Sequence, residues 1–191
     1  MAIITAAGFF MNGCVPLTLG TITGALPISQ ADDALARNDL KTAAAKYLEA
    51  AKAGHPRAQY KVGMMYTQGK GLPKDVKTSV EWMKKSAEAG YAPAQFTYGY
   101  WLLCGKNVKA DQPQAVAWLT KAAAQEDGEA AFFLGTMYAA GLAVPRDRNE
   151  AIRWFRVAKA QGFPISDEVL ATGDPTQDPD FRRGGSKKKK K

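Results

Sequence analysis

The sequence predicts an all-α solenoid, an array of stacked helix pairs, and three observations carry that prediction. The first is a repeat. Ala58, Gly63, Gly69, Asp75 and Trp82 recur as Ala94, Gly99, Gly105, Asp111 and Trp118, then as Ala130, Gly135, Gly141, Asp147 and Trp154, always at a step of 36 residues. The second is that apolar positions between these marks keep the same step, as in Tyr60, Phe96 and Phe132, or Val80, Val116 and Ile152. The third is that each period divides into two helix-compatible halves around a glycine-bearing loop. Units of this length cannot bury both apolar faces alone, and stacking on neighbours buries them.

Composition sets the bounds. The chain has 191 residues, 46% of them hydrophobic, which is room for one domain or a short array with a real core. Its formal charge of +8 belongs mostly to the end: residues 182–191 carry seven basic side chains, the first 31 residues carry no charge, and the body between is left at +1. A body so nearly neutral gives no reason to expect nucleic acid bound through the folded part. Cys14 and Cys104 stand far apart and the chain has a single histidine, so neither a disulfide framework, a metal site nor a cofactor is expected.

Taken in order, residues 1–31 form an apolar leader. Asn12, Gly13, Pro16 and several threonines interrupt it, so it lacks the unbroken apolar span of a transmembrane helix. A cleaved signal sequence fits, with Ser29-Gln30-Ala31 as the cleavage site, although no basic residue precedes the apolar stretch. Lipidation at Cys14, an ordered cap over the first repeat and a disordered leader stand as alternatives. The solenoid is expected over 32–171. It opens with a partial repeat (32–54), in which Asp32 or Asp33 caps a short helix through Arg37, Asn38-Asp39 turns, and Leu40 to Lys52 forms an Ala-rich amphipathic helix ended by Gly54.

Full repeats follow at 58–90, 94–126 and 130–162. Each begins with a first helix carrying a glycine at its middle. Glycine there costs about 1 kcal/mol against alanine, and its recurrence predicts close approach of a neighbouring helix. A loop opening with glycine leads to Asp75, Asp111 or Asp147, each placed to cap the second helix. That helix sets Val80, Trp82 and Met83 at the height of Val116, Trp118 and Leu119, and of Ile152, Trp154 and Phe155. Gly90 and Gly162 end it. Position 126 is glutamate instead, which predicts an altered turn. Residues 163–171 read as a C-terminal cap, and 172–191 as a disordered basic tail. The closing lysines Lys187–Lys191 are read as a tag, a solvated tail or an anion-binding site.

The pattern resembles the Sel1-like repeat family, relatives of the tetratricopeptide repeat: an alanine, the mid-helix glycine, a Tyr or Leu, the glycine loop, aspartate and tryptophan, in three copies over 58–162. Leu102, where the other copies have Tyr66 and Tyr138, and Asn107 for Gly71 depart from it. The resemblance implies a right-handed superhelix of antiparallel helix pairs, and a non-enzymatic scaffold or adaptor that holds a protein partner in a concave groove. Non-repeating residues of the first helices fall on that groove: Arg57, Met64 and Gln68, then Tyr100 with Trp101 on its flank, then Glu129 and Thr136. The recurring Tyr60, Phe96 and Phe132 read as core. No catalytic constellation appears, because His55 has no acid or nucleophile near it in sequence and the three aspartates sit one repeat apart. A monomer is expected, periplasmic or secreted if the leader works as a signal and cytoplasmic if it does not, with membrane association only through the leader. The alternative function is a bacterial envelope-assembly or secretion factor held or exported through that leader.

Overall fold

The computed structural model of the protein describes residues 25–177. Most of the expected leader, including Cys14, and the tail from residue 178 lie outside the described residues. Helix-forming stretches alternate with terminators to give α1 (Ala25–Ala36), α2 (Leu40–Lys52), α3 (Pro56–Gln68), α4 (Val76–Glu88), α5 (Ala92–Cys104), α6 (Gln112–Ala123), α7 (Gly128–Ala140), α8 (Arg148–Ala160), the short α9 (Asp167–Thr172) and a 3-10 turn (Pro175–Gln177). Among the described residues there is no strand. Each helix packs on the next in chain order, so the units α3–α4, α5–α6 and α7–α8 stack through α4–α5 and α6–α7 contacts. The fold is the all-α solenoid of paired helices that the repeat predicts.

The caps set where the second helices start. The Thr42, Thr78 and Gln114 amides donate to Asp39 (3.1 Å), Asp75 (3.2 Å) and Asp111 (3.0 Å), and the Asn149 and Glu150 amides donate to Asp147 (2.8 and 3.1 Å). Asp39 is thus a fourth copy of the capping aspartate, 36 residues ahead of Asp75, rather than a turn residue alone. The altered turn expected near position 126 is present. α6 closes at Ala123, Glu126 takes the left-handed conformation (φ 63°) that Gly54, Gly90 and Gly162 take elsewhere, and Asp127 caps α7 through the Ala130 amide at 3.0 Å.

The mid-helix glycines lie against the second helix of their own unit. A Cβ on Gly63 would stand 3.2 Å from the Ser79 carbonyl oxygen, and one on Gly99 3.2 Å from that of Ala115. On Gly135 it would meet the Phe155 ring at 2.6 Å. Close approach is therefore the common cause of all three. Buried glutamines stitch unit to unit: Gln59 Nε2 donates to the Ala51 carbonyl (3.3 Å) and Gln95 Nε2 to that of Ala87 (3.1 Å), where the third unit has Ala131.

The first helix departs from expectation. It begins at Ala25 and not at Asp32, because Ile28, Ala31 and Ala34 form an apolar stripe at helical spacing and are buried. With α2 it makes a complete hairpin, not a partial repeat, and the link 37–39 replaces the longer loops of the later units. Asp32 locks this hairpin to the array, accepting from the Tyr47 hydroxyl at 2.5 Å and pairing with Arg57 at 2.9 Å. Chain alternation puts the link 37–39 and the loops 69–75, 105–111 and 141–147 on one edge of the stack, and the short turns on the other. On the loop edge, a side chain at Gly71 would strike the Leu40 carbonyl, and Gly173 lies against Arg148.

Candidate functional site

The first helices α3, α5 and α7 each bury one side through their alanine, glycine and apolar positions and leave the other side open. The open side carries the residues that differ between units, and the structure distributes the expected site residues unevenly along it. Met64 is half-buried and Gln68 exposed. Together with Leu35, Leu40, Tyr47, Tyr60, Lys61 and Lys70 they line a depression of about 280 Å³ between α1 and α3. Leu35 is 38% exposed, so the floor of this end is apolar and reachable.

Tyr100 projects from α5 and is 36% exposed. Its ring meets Phe133 of α7 edge-on at 5.6 Å between centroids, and Phe133 meets Phe96 edge-on at 6.0 Å. Edge-to-face rings hold one another in place and leave faces free for a further contact. The Tyr100 hydroxyl is hydrogen-bonded to the Cys104 thiol one turn on, which raises its pKa. A phenol hydroxyl serves as a donor as well as an acceptor. Thr136 is half-buried, with its hydroxyl donating to the Phe132 carbonyl at 3.0 Å, and Glu129 is exposed in the first turn of α7.

Two of the expected residues do other work. Trp101 is only 4% exposed and packs with Met83, Tyr98, Leu102 and Ala115, so it belongs to the core of the second unit and has no open flank. The guanidinium of Arg57 is engaged by Asp32 and ties α3 to α1. Sequence reasoning missed Phe133. It stands where the other units have Lys61 and Thr97, so its departure from the repeat was the available signal. Tyr60, Phe96 and Phe132 are half-buried, and Phe132 stacks on Phe163 at 5.5 Å, in keeping with their reading as packing residues.

The arrangement offers shape, apolar area and hydrogen bonds rather than reaction chemistry. Among the described residues no cluster of His, Cys, Asp and Glu is grouped to hold a metal ion, and no helix is long and apolar enough to cross a membrane.

The Sel1 repeat family model matches residues 56–91, 92–127 and 128–163. Among solved structures, a Sel1 repeat protein from Oxalobacter formigenes is similar at 29% identity and a TM-score of 0.67, over 71% of this chain and 56% of that one. A protective antigen present in uropathogenic Escherichia coli strains, displaying an SLR fold, is similar at 29% identity and a TM-score of 0.69, over 83% of this chain and 35% of that one. The chain thus spans about half and about a third of these two proteins. No curated protein matches it.

Proposed function

The chain belongs to the Sel1 repeat family, and from that premise we propose that it holds a protein partner against the open face of α3, α5 and α7. Folds of this kind act as non-catalytic scaffolds for protein–protein interaction. The observation that supports a site on this face is the Tyr100–Phe133–Phe96 aromatic set. Ring packing supplies rigid anchors there, and one large ring stays exposed on this face. The depression at Met64 and Gln68 extends the same face toward α1.

Site-specific photocrosslinking tests the reading. A photoreactive side chain in place of Tyr100 is expected to capture the partner, and one in place of Arg156 on the outer helix α8 is not. Crosslinks arising chiefly from Arg156 would overturn it.

A second reading concerns location. Its support is the charge-free, largely apolar run ahead of α1 and the likeness to a protective antigen present in uropathogenic Escherichia coli strains. On that reading the chain is exported, periplasmic or secreted, and serves envelope assembly or secretion. Mass spectrometry of the mature chain's N-terminus decides it: a processed or lipidated start supports export, and an intact Met1 in a soluble fraction removes it.

A further inference from the structure

The first link of the array is built unlike the others. The links 53–55, 69–75, 89–91, 105–111 and 161–166 all contain glycine, but 37–39 is Arg37-Asn38-Asp39. The link 124–127 also lacks glycine, yet it runs straight into Gly128. Glycine resists being drawn into a continuous helix, so among the described residues 37–39 is the link through which a helix can run. What keeps it bent is Asn38, held in the left-handed conformation at φ 59°. Asparagine enters that region more readily than most residues, but at a steric cost absent from glycine.

Straightening this link orphans no amide. In the closed turn the Asn38 and Asp39 amides donate to the Leu35 (3.0 Å) and Ala34 (2.8 Å) carbonyls. In a continuous helix they donate to Ala34 and Leu35 instead, and the Thr42 amide turns from the Asp39 carboxylate to the Asn38 carbonyl. One helix from Ala25 to Lys52 is then about 42 Å long. The face that α1 leaves is apolar and specific. Ile28, Ala31 and Ala34 share one buried cluster with Ala43, Ala44 and Tyr47 of α2, and Asp32 accepts from the Tyr47 hydroxyl and pairs with Arg57. A replacement helix needs the same apolar spacing and a carboxylate at the same height. Beside the link, Leu35 is 38% exposed and borders the depression lined by Leu40, Tyr60 and Met64.

We propose that this face is an interface for a second copy of the chain, which inserts its own α1 in exchange. A second copy brings the required Ile28, Ala31, Asp32 and Ala34 by identity, and both copies recover the contacts of the closed hairpin. The balance is therefore set by the link and by chain concentration. The two straightened helices run antiparallel and cross at Asn38, so residues equally far to either side of it stand level. Arg37 of each copy stands level with Asp39 of the other, and Leu40 with Ala36, an isologous contact between opposite charges and between apolar groups. Leu35, close to the two-fold axis, stands level with the aliphatic stem of Lys41 and gains cover there. The proposal goes beyond the scaffold reading and is independent of it, because Tyr100 and Phe133 take no part.

Size-exclusion chromatography with light scattering, on full chains refolded from urea at about 1 mM, tests it. That concentration matches the one at which a short link presents its own α1. Asp32→Arg sets two guanidinium groups at the tie, and Arg57→Asp two carboxylates. Exchange of α1 between these two chains restores opposite charges at both ties. An equal mixture refolded together is therefore expected to give a heterodimer, at several times the dimer fraction of either variant alone. In the otherwise unchanged chain, Asn38→Gly is expected to lower the dimer fraction several-fold by easing the closed turn, and Asn38→Ala to raise it several-fold. A mixture with no more dimer than its components overturns the proposal. So does a dimer that Asn38→Gly leaves unchanged, since it forms through another surface. If a charge variant fails to fold, the two Asn38 variants decide alone.

Discussion

At Gly135 there is no room for one more methyl group. A Cβ would stand 2.6 Å from the ring of Phe155, which is itself fully buried and has nowhere to turn. Helix propensity favours alanine over glycine by about 1 kcal/mol, and overpacking a core costs about 1–3 kcal/mol. Gly135→Ala is therefore expected to destabilise, while Gly63→Ala and Gly99→Ala, with contacts no closer than 3.1 Å, stay near balance. Urea denaturation of the three variants checks this order, and equal stabilities would show that Phe155 gives way. The sequence made these glycines legible because one steric demand recurs at one spacing. It did not make Trp101 legible, because a lone large residue beside a repeat reads the same whether it faces a partner or, as here, Met83 and Leu102. Phe133 was missed for the related reason that its partners, Phe96 and Tyr100, lie a whole unit away in sequence.

Helices α2, α4, α6, α7 and α8 owe their starts to an aspartate, and that gives the stability a pH dependence of definite sign. Hydrogen bonds from Thr42 and Thr78 lower the folded-state pKa of Asp39 and Asp75. A carboxyl with a depressed folded pKa stabilises above its unfolded value, about 3.9, and that contribution is lost as pH falls through the folded value. Melting temperature is expected to decline on acidification below about pH 4. An Asp39→Asn, Asp75→Asn variant, whose amides still cap, is expected to lose less over the same interval. The first helix supports a second expectation at this scale. A chain beginning at Asp32 lacks Ile28 and Ala31, both buried, and is expected to be less stable than one beginning at Ala25 by at least about 2 kcal/mol. α1 escaped the sequence reading because the 36-residue pattern has no copy there, and its helical stripe is short and embedded in a longer apolar run.

Across the whole molecule, stability is a sum of units and joints. The joints before α3 and α5 carry a buried glutamine bond, and the joint before α7 has Ala131 in that place. Hydrogen exchange is accordingly expected to be slowest in α4 and α5 and to open first from the α7–α9 end; uniform protection along the array would count against unequal joints. Stacking order and pairing were legible from the spacing alone. The tie between α1 and the array was not, because Asp32, Tyr47 and Arg57 come together only in the fold. The two ends of the described chain also leave from opposite sides: α1 enters at the turn edge, and Gly173 rests beside Arg148 on the loop edge. Direction of mounting follows from this. A support at Ala25 holds the turn edge, and the loop edge then lies about 18 Å out along the twelve residues of α1. A support at Gly173 holds the loop edge and leaves the turn edge outermost.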